Sequence, residues 1–135
     1  MKKIHSSETL VTIVDDDESV RDALKGLLQS AGFAAAVFSS AEEFLRSSNR
    51  DKTSCLILDV HMPAMNGLEL QRRLGGAQCR IPMIFITALD DPSTRAQALK
   101  AGAVDFLKKP FSCDALLNAV LAALHDENDR IEVFR

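Results

Sequence analysis

Apolar residues follow two alternating rhythms along the chain. Leu10-Val11-Thr12-Ile13-Val14, Ala34 to Phe38, Cys55-Leu56-Ile57-Leu58 and Met83-Ile84-Phe85-Ile86 are short, nearly unbroken apolar runs. Between them lie stretches with apolar residues at helical spacing. A strand apolar on both sides is what a sheet needs when helices cover both its faces, whereas a half-exposed strand alternates. The first run therefore predicts a strand that ends on Asp15-Asp16-Asp17, and a helix follows over about 18–30. Val20, Leu24, Leu27 and Leu28 share one face of that helix, and Gly32 stands where a helix end favours a left-handed residue. Ser40-Ala41-Glu42-Glu43 is a capping-box pattern opening a short helix through Phe44 and Leu45, and 47–54 reads as a polar loop. The third run is the central strand and ends on Asp59. A loop through Pro63 and Gly67 leads to a helix carrying Leu68, Leu70 and Leu74, which stops at Gly75-Gly76. The fourth strand closes on Thr87, and Asp91-Pro92 reads as cap and first residue of a helix through Lys100, stopped by Gly102. Residues 103–108 hold the fifth strand, and Ser112 caps a last helix with Leu117, Val120, Leu121 and Leu124 on its face. Five strands alternating with five helices predict an α/β fold, a single doubly wound parallel sheet covered on both sides. The domain is placed at 9–125, with 1–8 an N-terminal extension. The charged stretch 126–135 either extends the last helix or begins a linker.

Composition narrows the class without changing this picture. With 47% hydrophobic and 26% charged residues the chain is globular rather than disordered. Its longest apolar runs, Phe33 to Phe38 and Ala119 to Leu124, are six residues, too short to span a membrane. Met1-Lys2-Lys3 has the charge of a signal peptide without the apolar segment that must follow, which makes the cytoplasm the expected compartment. A net charge of -3 argues against direct nucleic-acid binding by this domain. Cys55, Cys79 and Cys113 are odd in number and widely spaced, so neither a disulfide framework nor a zinc site is expected. They read as buried or incidental thiols.

The chemistry-bearing residues stand at strand ends: Asp15-Asp16 after the first, Asp59 after the third, Thr87 closing the fourth, and Lys109 after the fifth. In strand order 2-1-3-4-5, an order borrowed from known doubly wound sheets, strands one and three are neighbours. The acidic pair and Asp59 then converge at the topological switch point, where such sheets bind ligands. Two carboxylates about 5 Å apart repel by roughly 3 kcal/mol at an effective dielectric of 20, so the cluster calls for a cation or a proton. An oxygen-only donor set with open positions suits Mg²⁺ completed by a phosphate. Lys109 and Thr87 add a positive charge and a hydroxyl donor, and the whole set describes phosphoryl chemistry on an aspartate.

Val14-Asp15-Asp16, Leu58 to Pro63 with Asn66-Gly67, Ile86-Thr87-Ala88, and Lys100 to Ala103 through Phe106, Lys109, Pro110 and Phe111 together resemble a response-regulator receiver domain of two-component signalling. The likeness covers about residues 9–125 and is greatest to FixJ-type transcriptional regulators. It implies the flavodoxin-like fold and a phosphoryl group taken by Asp59 from the phosphohistidine of a sensor histidine kinase. It implies Mg²⁺ on Asp16, Asp59 and the backbone carbonyl of His61, with Asp15 acting largely through a metal-bound water. Thr87 and Lys109 would contact phosphoryl oxygens, and Phe106 matches a switch aromatic that follows Thr87. The Lys109-Pro110 bond matches one usually cis in the family. The family further implies that the fourth helix, fifth strand and fifth helix change surface and mediate a phosphorylation-dependent homodimer. No turnover of an external substrate is expected, and transcriptional control would need a DNA-binding domain not found in these residues.

His61, two after Asp59, and Leu89, two after Thr87, are placed to tune dephosphorylation, with Leu89 shielding the approach of water. Two other readings belong to different classes. In a phosphohydrolase of the haloacid-dehalogenase kind Asp15 would be the nucleophile, but late acidic metal ligands and cap insertions are not evident. A stand-alone relay or docking module would use the same fold without an attached output.

Overall fold

The computed structural model describes residues 9–75, 79–89 and 91–133, with side chains through 125. The N-terminal extension 1–8 and Gly76 lie outside the described residues. Five parallel strands, β1 (Leu10–Val14), β2 (Ala34–Phe38), β3 (Cys55–Asp59), β4 (Met83–Thr87) and β5 (Asp105–Lys108), form one sheet in the expected order β2-β1-β3-β4-β5. Helices α1 (Glu18–Ser30), α2 (Ala41–Arg46), α3 (Gly67–Arg73), α4 (Pro92–Lys100) and α5 (Cys113–Val133) connect and cover them.

The unbroken apolar runs are explained by two cores, one on each face. Along β3, Cys55 and Ile57 pack with Leu24 and Leu28 of α1 and Leu116 and Val120 of α5. Leu56 and Leu58 join Phe44 of α2, Leu70 of α3 and Ala98 of α4 on the opposite side. This is the alternation of a strand, with both of its faces dry. Burial pushes the Cys55 thiol up to about 12, so it stays protonated and behaves as a small apolar side chain. No helix among the described residues is long and apolar enough to cross a membrane.

Local signals set the helix ends. Asp17, Ser40, Asn66 and Asp91 each accept a backbone N–H of the following turn. The capping box of α2 is shifted by one residue on its return arm. Glu43 accepts from the N–H and the hydroxyl of Ser39, not from Ser40, and these bonds hold its carboxyl below the ordinary value. Gly32, Gly75 and Gly102 take positive φ directly after α1, α3 and α4. The loop expected at 47–54 contains a 3₁₀ turn at Ser48–Asp51. It is drawn in because Thr53 Oγ1 donates to Asn49 O and lies 2.8 Å from Thr12 Oγ1 on buried β1. α5 continues to Val133, so the charged stretch 126–133 is helical backbone and only 134–135 lie beyond the described residues.

Candidate functional site

β1 and β3 are hydrogen-bonded neighbours, with Val14 paired to Leu58. The chain leaves β1 for one side of the sheet and β3 for the other, so their carboxyl ends border the switch-point crevice. Asp15 and Asp16 enter it from β1 and Asp59 from the last position of β3. One carboxylate oxygen from each lies within 4.8 Å of the other two. Asp15 and Asp59 are buried and Asp16 is exposed. At this spacing each charged pair repels by roughly 3 kcal/mol at an effective dielectric of 20.

Lys109 offsets part of that repulsion. Its Nζ is 3.0 Å from Asp15 Oδ2 and 3.8 Å from Asp59 Oδ2, and the peptide bond to Pro110 is cis. The backbone N–H of Lys109 donates to Thr87 O at 2.7 Å, tying this turn to the end of β4. Lys108, by contrast, is exposed. One ammonium against three carboxylates leaves an excess of negative charge, which adds to burial in disfavouring the charged form of Asp59. Burial and then the Asp15 carboxylate raise its pKa to about 6, against the pull of Lys109 and the N–H of His61.

The other expected residues are found around this cluster. His61 donates its backbone N–H to Asp59 Oδ1 at 3.3 Å, and its side chain is exposed. Thr87 is fully buried, yet its hydroxyl is turned onto Leu89: Oγ1 donates to Leu89 O at 2.9 Å and accepts from Leu89 N at 3.1 Å. The Leu89 side chain is 63% exposed. Phe106 is 2% exposed, and its ring centroid lies 6.2 Å from that of Phe85.

Two residues with a place at this site, Arg95 and Arg21, were not anticipated from the sequence, and Gly67, part of the family motif there, has a packing role that the motif does not reveal. Arg95 of α4 lies over the Phe106 ring, 5.0 Å from its centroid, a cation–π contact worth about 0.5–1 kcal/mol. Gly67 opens α3 against the end of β3, with its N–H on Val60 O. Arg21 of α1 donates from Nη1 to the backbone oxygen of Asp15 at 2.9 Å. The only advance signal for Arg21 was a cation near a helix N-terminus, the end at which the macrodipole disfavours it.

The donor set is three carboxylates, with an exposed edge at Asp16 and no nitrogen or sulfur ligand. That composition fits a hard divalent cation taking oxygen ligands. It is the one cluster of at least three His, Cys, Asp or Glu of this kind among the described residues. Fold and site together define a doubly wound α/β protein with an acidic, cation-ready switch point beside a lysine.

Comparison with known proteins agrees with that class. The sequence model of the response regulator receiver domain matches residues 11–121. Nodulation protein W of Bradyrhizobium diazoefficiens is 44% identical over 130 residues, covering 96% of this chain and 57% of the relative. Transcriptional regulatory protein FixJ of Rhizobium meliloti is 43% identical over 110 residues, 82% of this chain and 54% of the relative. The crystal structure of a response regulator receiver protein from Burkholderia phymatum superposes with a TM-score of 0.76 at 44% identity, covering 87% of this chain and 95% of that one. The chain belongs to the response regulator receiver domain family. It spans about half the length of these curated relatives.

Proposed function

We propose that this chain is a phospho-acceptor switch in which Asp59 takes a phosphoryl group from a sensor histidine kinase. The observation that carries the reading is the meeting of Asp59 with Asp15, Asp16 and Lys109 at the switch point. An Asp59 carboxylate oxygen attacks phosphorus, the bond from phosphorus to the donor nitrogen breaks, and an acyl phosphate forms on Asp59. Asp16 and Asp59, with the carbonyl of His61, would hold Mg²⁺, and Asp15 would contribute through water. When bound, Mg²⁺ supplies neutralisation of charge on the transferring group. Lys109 is placed to follow the new charge, since its ammonium already lies between Asp15 and Asp59. The same chain turns over no external substrate.

Thr87 supplies the switch. Its two bonds to the Leu89 backbone are neutral ones, worth about 1 kcal/mol each, whereas a hydrogen bond to a charged phosphoryl oxygen is worth about 1.5–3 kcal/mol. The balance is close enough for phosphorylation to tip it. Withdrawal of Thr87 from Leu89 frees space that the Phe106 ring, already stacked under Arg95, then fills, and so alters the α4-β5-α5 surface. We place a phosphorylation-dependent homodimer on that surface. The output is transcriptional, as the name of the FixJ relative says of that protein, and is exerted from the cytoplasm through a DNA-binding segment beyond these residues.

The test is incubation with Mg²⁺ and acetyl phosphate followed by intact-mass measurement. Wild type is expected to gain one phosphoryl group, and Asp59→Asn or omission of Mg²⁺ to abolish the gain. A folded wild type that gains nothing sinks the reading. The same assay follows the acyl phosphate in time and reports on the residues beside it. The exposed Leu89 side chain stands two residues past Thr87, as His61 does past Asp59, and both are assigned to tuning hydrolysis. Leu89→Ala is expected to shorten the phosphate lifetime roughly threefold, a barrier change of about 0.65 kcal/mol. An unchanged lifetime removes Leu89 from that role.

A further inference from the structure

We infer that Arg21 is a positioning residue for the divalent-cation site, holding the Asp15–Asp16 peptide so that the Asp16 carboxylate faces Asp59; this rests on the phospho-acceptor reading above. The bond from Arg21 Nη1 to Asp15 O, at 2.9 Å, spans six residues and is partly buried. That oxygen and the Asp16 N–H belong to one planar peptide unit, so fixing the oxygen fixes the plane from which Asp16 departs. Asp15 is held at every other polar atom. Its N–H reaches Phe38 O, Oδ1 accepts from Asp17 N, and Oδ2 accepts from Lys109. No described residue hydrogen-bonds the Asp16 carboxylate, so the backbone it departs from, which limits its rotamers, is what the surrounding structure fixes. A guanidinium in the first turns of α1 works against the helix dipole, and its bond to the Asp15 carbonyl is the compensation the structure offers.

Charge and position make opposite predictions here. A cation removed from the neighbourhood of a Mg²⁺ site tightens the site if charge is all it contributes, and loosens it if it was orienting a ligand. The chain has no Trp and no Tyr, so calorimetric titration with Mg²⁺ is the suitable readout. Arg21→Met is expected to weaken Mg²⁺ binding about tenfold, as loss of a residue supporting a metal ligand does. In an Asp16→Asn background the same change is expected to alter the affinity by less than about twofold, because the ligand it positions is gone. Arg21→Lys, which keeps a charged donor, is expected to recover most of the affinity. Unchanged or tighter binding by Arg21→Met, or an equal loss in the Asp16→Asn background, overturns the inference while leaving the phospho-acceptor reading intact. A wild type that binds no Mg²⁺ overturns both. Should Arg21→Met fail to fold by circular dichroism, Arg21→Gln takes its place with the same outcomes.

Discussion

Gly67→Ala is expected to lower stability by about 3 kcal/mol and to impair phosphorylation as well, although Gly67 bears no functional group. A Cβ built on Gly67 lies 2.5 Å from the backbone oxygen of Asp59, 3.0 Å from Phe85 Cε1 and 3.1 Å from Val60 Cα. Two of these three neighbours are backbone at the end of β3 and cannot swing aside. The methyl can be accommodated only by moving α3 away or by displacing the peptide that carries Asp59, and overpacking of that kind costs about 1–3 kcal/mol or more. Gly26 in α1 provides the control, since nothing lies within 4 Å of its added Cβ. There the same substitution is expected to stabilise by about 0.5–1 kcal/mol, through helix propensity and a less flexible unfolded chain. Urea unfolding followed by circular dichroism separates the two. A Gly67→Ala protein as stable as wild type would show that the junction of β3 and α3 is looser than its packing indicates.

The second large effect is on pH dependence in the absence of divalent cations. Asp59 has a folded pKa of about 6 against an ordinary value of 3.8, so its charged form is disfavoured by folding. Below the unfolded value both states are protonated and the group contributes nothing. As pH rises from about 4 to about 6 the unfolded chain ionises first, and stability falls. Above 6 the loss is complete and constant. The full difference corresponds to about 3 kcal/mol, and solvent at the exposed Asp16 edge reduces the expected loss to about 1–2 kcal/mol. With EDTA at pH 7.5, Asp59→Asn is therefore expected to be more stable than wild type by that amount. At pH 4 the difference should nearly vanish, and excess Mg²⁺ at pH 7.5 should close it from the wild-type side. Equal urea midpoints for the two proteins in EDTA at pH 7.5 would contradict the burial of the Asp59 charge and its repulsion by Asp15.

Much of this was legible because it is written locally. The unbroken apolar run of β3, the capping residues Ser40, Asp91 and Ser112, and the glycines after α1, α3 and α4 each act within a few residues of themselves. The chain is less legible where a contact crosses it. The polar loop after α2 contains a 3₁₀ turn because Thr53 meets Thr12, 41 residues away. Arg21 and Arg95 look like solvated helix charges until their targets, the Asp15 carbonyl and the Phe106 ring, are placed beside them.

The sequence by itself determined the parts: four nearly unbroken apolar strands and a fifth, shorter and more polar one, the helices between them, and acidic, hydroxyl and basic residues at the strand ends. Period and capping fix these, since both depend on neighbours along the chain. The tertiary structure decided how the parts meet. It alone brings Lys109 to Asp15 across 94 positions, sets Thr53 against Thr12 across 41, and presses Gly67 against the carbonyl of Asp59. Those relations depend on strand order and close packing, and both are settled only when distant segments compete for the same space.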